Sequence, residues 1–337
     1  MAGAVEYGFR HAWDLFALTD IGPSRWTDAL LGETRAHLSG CLNAVELAIS
    51  LQMGDNWLAR TVEALGPNFC RDAVERSPAL LSPLLVGHLR QRAAAALVLR
   101  TALGMPAVAT QIGPEAAETT DQRLGDALAA LRLSLDPWYD PQPVDRPMRA
   151  DLPAEVFCDL VWTAAALLVD GLAARMGVDS AAAIPDIGRA AQAVIARHDE
   201  QNGPFARAVY VALILADDAQ ADRQALQAAF SHDLLLLAAI GARRCRMSIE
   251  RALALLIDGN HDLRAAFARV LHLSDDAYAA LLTGLGIVRD DMPDSALLDL
   301  VPNYQRLTPD LAMQALTRWS GPEQLIEKLA RMDWSQP

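Results

Sequence analysis

The stretch AEVFCDLVWTAAALLVDGLAARM, residues 154–176, sets Val156, Phe157, Leu160, Val161, Ala164, Leu167, Leu168, Leu172 and Met176 three or four positions apart. That spacing is the α-helical period held over about six turns. So many apolar positions predict a central core helix. The same period recurs outward from it in both directions. Upstream, Trp26, Leu30, Leu38, Cys41, Leu42, Val45, Ala48 and Ile49, with Thr34 in register, put one apolar face on a long helix over 24–52. A helix capped by Asp55 and running through Leu65, a short one over 68–76, and a longer one from Ser82-Pro83 through Leu103 complete an N-terminal helical lobe, residues 1–103.

Residues 104–153 form the connection. Gly104, Pro106, Gly113 and Pro114 interrupt the period before a helix over 120–135. Pro137, Pro141, Pro143, Pro147 and Pro153 then exclude a regular helix over 136–153, while Trp138 and Tyr139 give this segment something to bury, as an ordered strap would. Beyond the core helix, residues 154–337 read as a C-terminal lobe with further helices at 185–197, 205–217, 223–230, 232–244, 249–256, 263–271, 275–285, 296–301, 309–319 and 322–332. Ser248, Ser274 and Thr308 precede helix starts, Pro185, Pro309 and Pro322 sit in first turns, and Gly259 and Gly286 lie just past helix ends. No run alternates β-branched or aromatic with polar residues, so sheet content should be near zero. The fold class is all-α: a multi-helix, two-lobed assembly. Residues 248–256 align with 274–282 at an offset of 26, cap serine on cap serine, which points to α-solenoid, HEAT-like hairpins in the C-terminal half.

Composition agrees. Of 337 residues 52% are hydrophobic but only 6% aromatic, and alanine and leucine, the strongest helix formers, dominate. A chain of this length buries enough surface to be stable without disulfides or a structural metal. Lys328 is the only lysine, and the reliance on arginine reads as compositional bias. Net charge is −13, with 25 acids against 16 bases in residues 151–337. An acidic surface repels phosphate backbones, so nucleic acid and anionic membrane are poor partners and a basic protein segment is a better one. The N-terminus shows no signal-peptide pattern, and apolar runs such as 234–241 are too short to span a bilayer. Cys41, Cys70, Cys158 and Cys245 form no C-x-x-C pair and read as reduced, packed thiols of a cytoplasmic protein.

The opening helix, the Arg/Leu-rich helix around 89–103, the block Asp151-Leu-Pro-Ala-Glu-Val-Phe-Cys-Asp-Leu-Val-Trp162 and the closing helices of 232–282 resemble an alphaproteobacterial helical family, domain of unknown function 2336. The resemblance spans roughly residues 24–285. It implies a helical, repeat-like bacterial protein and carries over no catalytic residues.

The residues that could carry chemistry are few. Asp290-Asp291-Met292-Pro293-Asp294 matches the aspartate-rich motif with which isoprenoid synthases hold magnesium and diphosphate, and Asp217-Asp218 with Asp222 forms a looser second cluster. Pro293 spoils the shared helix face, so a solvated acidic helix start is the plainer reading. His198-Asp199, His232-Asp233 and His261-Asp262 are like the metal-binding pairs of HD-type phosphohydrolases, although each falls at a predicted helix boundary where capping explains it. Arg243, Arg244 and Arg246 could grip a phosphate or complement a helix C-terminus. Trp138 and Tyr139 offer a peptide-binding patch or a strap anchor. G-x-S-x-G, P-loop, G-x-G-x-x-G, H-E-x-x-H and paired C-x-x-C signatures are absent.

The reading is a non-enzymatic interaction, scaffold or regulatory protein without a cofactor. Its surface would be Asp275, Asp276, Asp290, Asp291, Asp294 and Asp299, opposed in 275–299 only by Arg289. Self-association is compatible with it. The alternatives are a metal-dependent helical hydrolase on His198, His232, Asp233, His261 and Asp262, and a small-molecule sensor with a pocket between helices near Phe157 and Trp162.

Overall fold

A computed structural model describes residues 26–104, 122–139, 146–290 and 294–317, together with Leu325. Among these residues the chain is all-α. In order the helices are α1 (Asp28–Met53), α2 (Trp57–Glu63), α3 (Phe69–Val74), α4 (Pro83–Gly104), α5 (Gln122–Tyr139), α6 (Ala154–Met176) and α7 (Ser180–Ala196). They continue with α8 (Pro204–Ile214), α9 (Asp218–Phe230), α10 (Leu234–Cys245), α11 (Ile249–Ile257), α12 (His261–Val270), α13 (Asp275–Leu285), α14 (Asp294–Arg306) and α15 (Pro309–Thr317). The one β-type contact among the described residues is an isolated bridge between Trp26 and Arg289. Most of the predicted connection at 104–119, Pro141, Pro143 and nearly all of the helix expected at 322–332 lie outside the described residues.

The chain forms two compact units, each drawn from separate stretches. One comprises 31–93 and 146–203, the other 26–30, 94–104, 122–139 and 204–317 among the described residues. The helix α4 supplies residues to both.

In the first unit α6 is the core helix its spacing predicts, burying Val156, Phe157, Leu160, Val161, Ala164, Leu167, Leu168 and Leu172 against α2, α3 and α7. It is long and apolar enough to match a membrane span, which corrects the expectation from apolar runs alone, yet 61% of its apolar window is buried within the fold. Close approach of α3 depends on Gly171: a Cβ there would lie 2.2 Å from Cζ of Phe69. The carboxylate of Glu46, on α1, accepts from the N–H groups of Phe69 (3.2 Å) and Cys70 (2.7 Å), which caps α3. Residues 146–153 are non-helical, as their prolines require, and ordered: Met148 and Leu152 are buried, Met148 N donates to Gly40 O at 2.8 Å, and Arg92 Nη2 donates to Arg149 O at 2.9 Å.

One consequence of this packing is measurable. His88, on α4, is buried, and its pKa is lowered to about 3, first by desolvation and then by the charge of Arg92. Below the unfolded-state value near 6.5 the unfolded chain takes up a proton that the folded chain refuses, so stability falls as pH falls. The expected slope is about 1.4 kcal/mol per pH unit for this residue. Urea unfolding between pH 6.5 and 4.5 should show that slope lessened by about one proton in His88→Gln; an unchanged slope would remove His88 as its source.

In the second unit α10 is buried on nearly every side by α8, α9, α11, α12 and α15, with Arg243 and Arg244 as its less buried positions. Three turns share one geometry. His232, Arg246 and His272 adopt left-handed backbone angles, φ 56°, 54° and 55°. In each, the next N–H reaches back: Asp233 to Ala228 O, Met247 to Ala242 O and Leu273 to Ala268 O, at 2.9, 3.0 and 3.2 Å. The second and third of these turns lie 26 residues apart, as do the serines that cap α11 and α13, Ser248 and Ser274.

Six predicted boundaries move. Asn56, not Asp55, caps α2, accepting from Ala59 N at 2.7 Å. Capping by Asp179 and Asp217 starts α7 and α9 five residues earlier than expected, and Pro185 lies inside α7. Pro137 and Pro302 lie inside α5 and α14, so the segment expected to be a strap begins as helix and Trp138 is buried at its end. Trp26 precedes α1 rather than belonging to it, and its Nε1 donates to Asp258 at 3.3 Å.

Candidate functional site

The acidic stretch 275–299 is built on α13 and α14. Ser274 accepts from Ala277 N at 3.2 Å and starts α13, whose first turn holds Asp275 and Asp276, where carboxylates suit the positive end of the helix. The opposite face of α13 buries Ala277, Tyr278, Leu281, Leu282 and Leu285. Tyr304 anchors α14: its ring stacks on Tyr278 with centroids 4.2 Å apart, its hydroxyl donates to Leu273 O at 2.6 Å, and the Arg269 guanidinium lies 3.9 Å over it. Gln305 Nε2 donates to Asp275 at 2.8 Å and joins the two helices at the surface.

With Tyr304 turned inward, Leu298 is 78% exposed and Asp299 is exposed beside it. Asp276 and Asp290 are exposed and Asp275 is half-buried. Asp291 lies outside the described residues, and of Asp294 only its place at the start of α14 is described. Arg289, the one base of this stretch, is buried, with Nη1 donating to Ile257 O at 3.2 Å. Within 275–299, therefore, the base is buried while Asp276, Asp290 and Asp299 are exposed among the described residues, and Leu298, next to Asp299, is exposed with them.

The histidine-aspartate pairs serve local structure. His198 stacks on Phe157, centroids 3.8 Å apart, and its Nε2 donates to Leu152 O at 2.7 Å, while Asp199 caps the short turn Glu200–Asn202. His232 is buried in its left-handed turn, with Nδ1 and the Thr101 hydroxyl hydrogen-bonded at 2.8 Å; desolvation lowers its pKa, opposed by hydrogen bonds to the backbone at Ala280 and Val98. Asp233 caps α10 and burial raises its pKa. His261 and Asp262 open α12 behind the capping Asn260. His198 belongs to the first unit and the other four residues to the second, and among the described residues no three His, Cys, Asp or Glu side chains are grouped to hold a metal ion.

The remaining candidates are likewise absorbed. Asp217 caps α9, and Asp222 accepts from Arg244 Nη2 at 2.5 Å and pairs with His272 Nδ1 at 3.1 Å. Arg243 donates to Ala212 O and Leu215 O at the end of α8; Arg244 donates to Val270 O at the end of α12. These arginines complement the C-termini of neighbouring helices rather than of their own, and the buried Arg264 does the same for α11. Arginine, read from composition as bias, supplies planar multi-donor groups to carbonyls that a helix leaves unpaired. Trp138 is buried, and Tyr139 is half-buried with its pKa raised by desolvation and by Asp233. Phe157 is filled core and Trp162 is 44% exposed on α6. A groove of about 550 Å³ lies elsewhere, between α5 and α8, lined by Gln122, Arg123, Asp126, Ala127, Ala130, Arg207 and Tyr210. Cys41, Cys70 and Cys245 are buried with thiol pKa values raised by desolvation, Cys245 to about 11, which suits packing rather than nucleophilic chemistry.

No curated protein matches the chain. No solved structure matches it. A family model does match, over residues 147–317, which include both α6 and the α13–α14 hairpin. The model is described as an uncharacterised protein conserved in bacteria, and with about half of its length matched the chain belongs to that family, DUF2336.

Proposed function

We propose that this chain is a non-enzymatic interaction protein of the bacterial cytoplasm, with a scaffold or regulatory role, that recognises a basic segment of a partner protein through the α13–α14 hairpin. The observation that carries the reading is the division of roles in 275–299: Arg289 is drawn into the core while Asp276, Asp290, Asp299 and Leu298 face solvent. Exposed carboxylates and an exposed leucine on one hairpin suit a partner of opposite charge, because the charge steers encounter and the apolar side chain supplies affinity. The matched turns 26 residues apart support a repeat-like stacking of hairpins, an architecture that presents extended binding faces. Four free cysteines fit a reducing compartment.

The test is affinity capture from host lysate with the wild-type chain and with Asp276→Arg, Asp290→Arg and Asp299→Arg combined. Rim charges are each worth about 0.2–1 kcal/mol, and reversal at three positions should lower capture of the specific partner about tenfold or more, while the melting temperature shows that the variant is folded. Equal capture by both chains would remove this surface from the account.

A further inference from the structure

We propose that Trp26, just before α1, is a positioning residue for the α13–α14 surface: it keeps Arg289 inside the fold and so preserves the acidity that a basic partner meets. This deepens the hairpin reading and rests on it. Trp26 and Arg289 face each other in the isolated antiparallel bridge. Residues directly opposite in such a pair send their side chains to the same side, with Cβ atoms about 4.5–5.5 Å apart. Both side chains then reach the end of α11: Trp26 Nε1 donates to Asp258 at 3.3 Å, and Arg289 Nη1 donates to Ile257 O at 3.2 Å. Both are buried, Trp26 at 7% exposure and Arg289 at 4%. The indole therefore lies beside the Arg289 side chain and helps to shut it off from solvent.

Thr27 continues the contact. Its Oγ1 donates to Ile287 O at 2.7 Å and its N–H to Val288 O at 3.5 Å. The second of these bonds is long, and the apolar area of a buried indole is the stronger fastening. Arg289 precedes Asp290, which is exposed. Burial deprives a guanidinium of hydration, so with the indole gone the side chain gains by turning to water. It then emerges next to Asp290, one of the three acids of the hairpin, with Asp276 and Asp299, that are exposed among the described residues. A cation there repels a basic partner and weakens the charge that steers it in. Trp26 acts through Arg289 in this way and touches no partner itself.

Two readouts on the full chain test this. Phenylglyoxal, which modifies accessible guanidinium groups, followed by peptide mass mapping reads Arg289 directly: it should be protected in the wild type and modified severalfold faster in Trp26→Ala. Fluorescence anisotropy of a fluorescein-labelled decapeptide of alternating lysine and leucine reads recognition. Trp26→Ala should bind that peptide about two- to fivefold more weakly than the wild type, the range that one surface charge supplies, and adding Arg289→Gln should restore the affinity. Restoration separates a released charge from damage to the fold, because a second buried substitution does not repair packing. Melting temperatures show that the variants are folded, and Trp26→Leu, a smaller truncation, should give the same changes at lesser amplitude. Wild-type binding no tighter than that of the chain reversed at Asp276, Asp290 and Asp299 overturns the hairpin reading. Arg289 labelling equal in the wild type and both Trp26 variants overturns the role of Trp26 by itself, so the two failures are distinct. Variants that label at Arg289 yet bind the peptide as the wild type does, or whose loss Arg289→Gln leaves in place, overturn the link from Arg289 to recognition.

Discussion

Replacing Arg264 by alanine is expected to destabilise the protein by about 3–5 kcal/mol, the largest effect of any single substitution considered for this chain. Arg264 is fully buried on α12. Its Nε donates to Leu256 O at 2.8 Å and its Nη2 to Gly259 O at 2.6 Å, so one side chain satisfies carbonyls that the end of α11 leaves without helical partners. Alanine removes both donors and leaves a cavity, and a buried carbonyl without a donor costs about 1–3 kcal/mol by itself. Arg264→Lys keeps the charge but offers a compact donor in place of a planar fork, and an intermediate loss of about 1–2 kcal/mol is expected. Urea unfolding at neutral pH measures both. A loss below 1 kcal/mol for the alanine variant would mean that the guanidinium is dispensable to the α11–α12 corner.

Gly241→Ala should cost about 2 kcal/mol despite placing a better helix former inside α10. The propensity gain is about 1 kcal/mol. Against it, the added Cβ would sit 2.0 Å from Cζ of Phe267 and 2.7 Å from each Cε, and Phe267 is fully buried, so the ring has no free rotamer to take. Overpacking of this kind typically costs about 1–3 kcal/mol, and more where the obstacle is rigid. Pairing the change with Phe267→Leu should recover part of the loss, giving a coupling of at least about 1 kcal/mol in a double-mutant cycle. Strictly additive losses would show that α10 and α12 do not meet at this point. Gly171 and Phe69 repeat the arrangement between α6 and α3 in the other unit, and Gly171→Ala should behave in the same way.

Helix existence was legible because the apolar period of 3.6 is local, and the core positions read along 154–176 are buried except Met176. What misled at helix ends was proline. A proline inside a helix costs about 3 kcal/mol, but the residues just beyond Pro137 and Pro302 include the buried Trp138 and Tyr304, and burying a large side chain offsets much of that cost. Around Pro185, Ala183 and Ile187 are both buried and hold α7 continuous. Tertiary burial of this kind leaves no mark in the local pattern. Nor does glycine-ring packing, since Gly171 and Phe69 are remote in sequence.

The candidate surface was half legible. Six aspartates in 275–299 are plain in the sequence, but the inward turn of Arg289 and the outward position of Leu298 follow from where Ile257 and Tyr304 lie in space. The α5–α8 groove carried no sequence signal at all. Its two arginines come from helices far apart in the chain, and its floor is two alanines in an alanine-rich protein. The histidine-aspartate pairs lie at helix ends, where the sequence places them: His232 takes a left-handed turn, Asp233 caps α10, and His261 and Asp262 open α12.

Recognition of a basic partner segment by the α13–α14 hairpin can be read by site-specific photo-crosslinking in the native host. With a benzophenone side chain at position 298, the account predicts one dominant adduct, crosslinked to a lysine- or arginine-rich peptide of another protein and lost when Asp276, Asp290 and Asp299 are reversed to arginine. A matching probe at Leu51, exposed on α1, sets the background. Adducts at 298 no stronger than that background, or an adduct that survives the charge reversal, would contradict it.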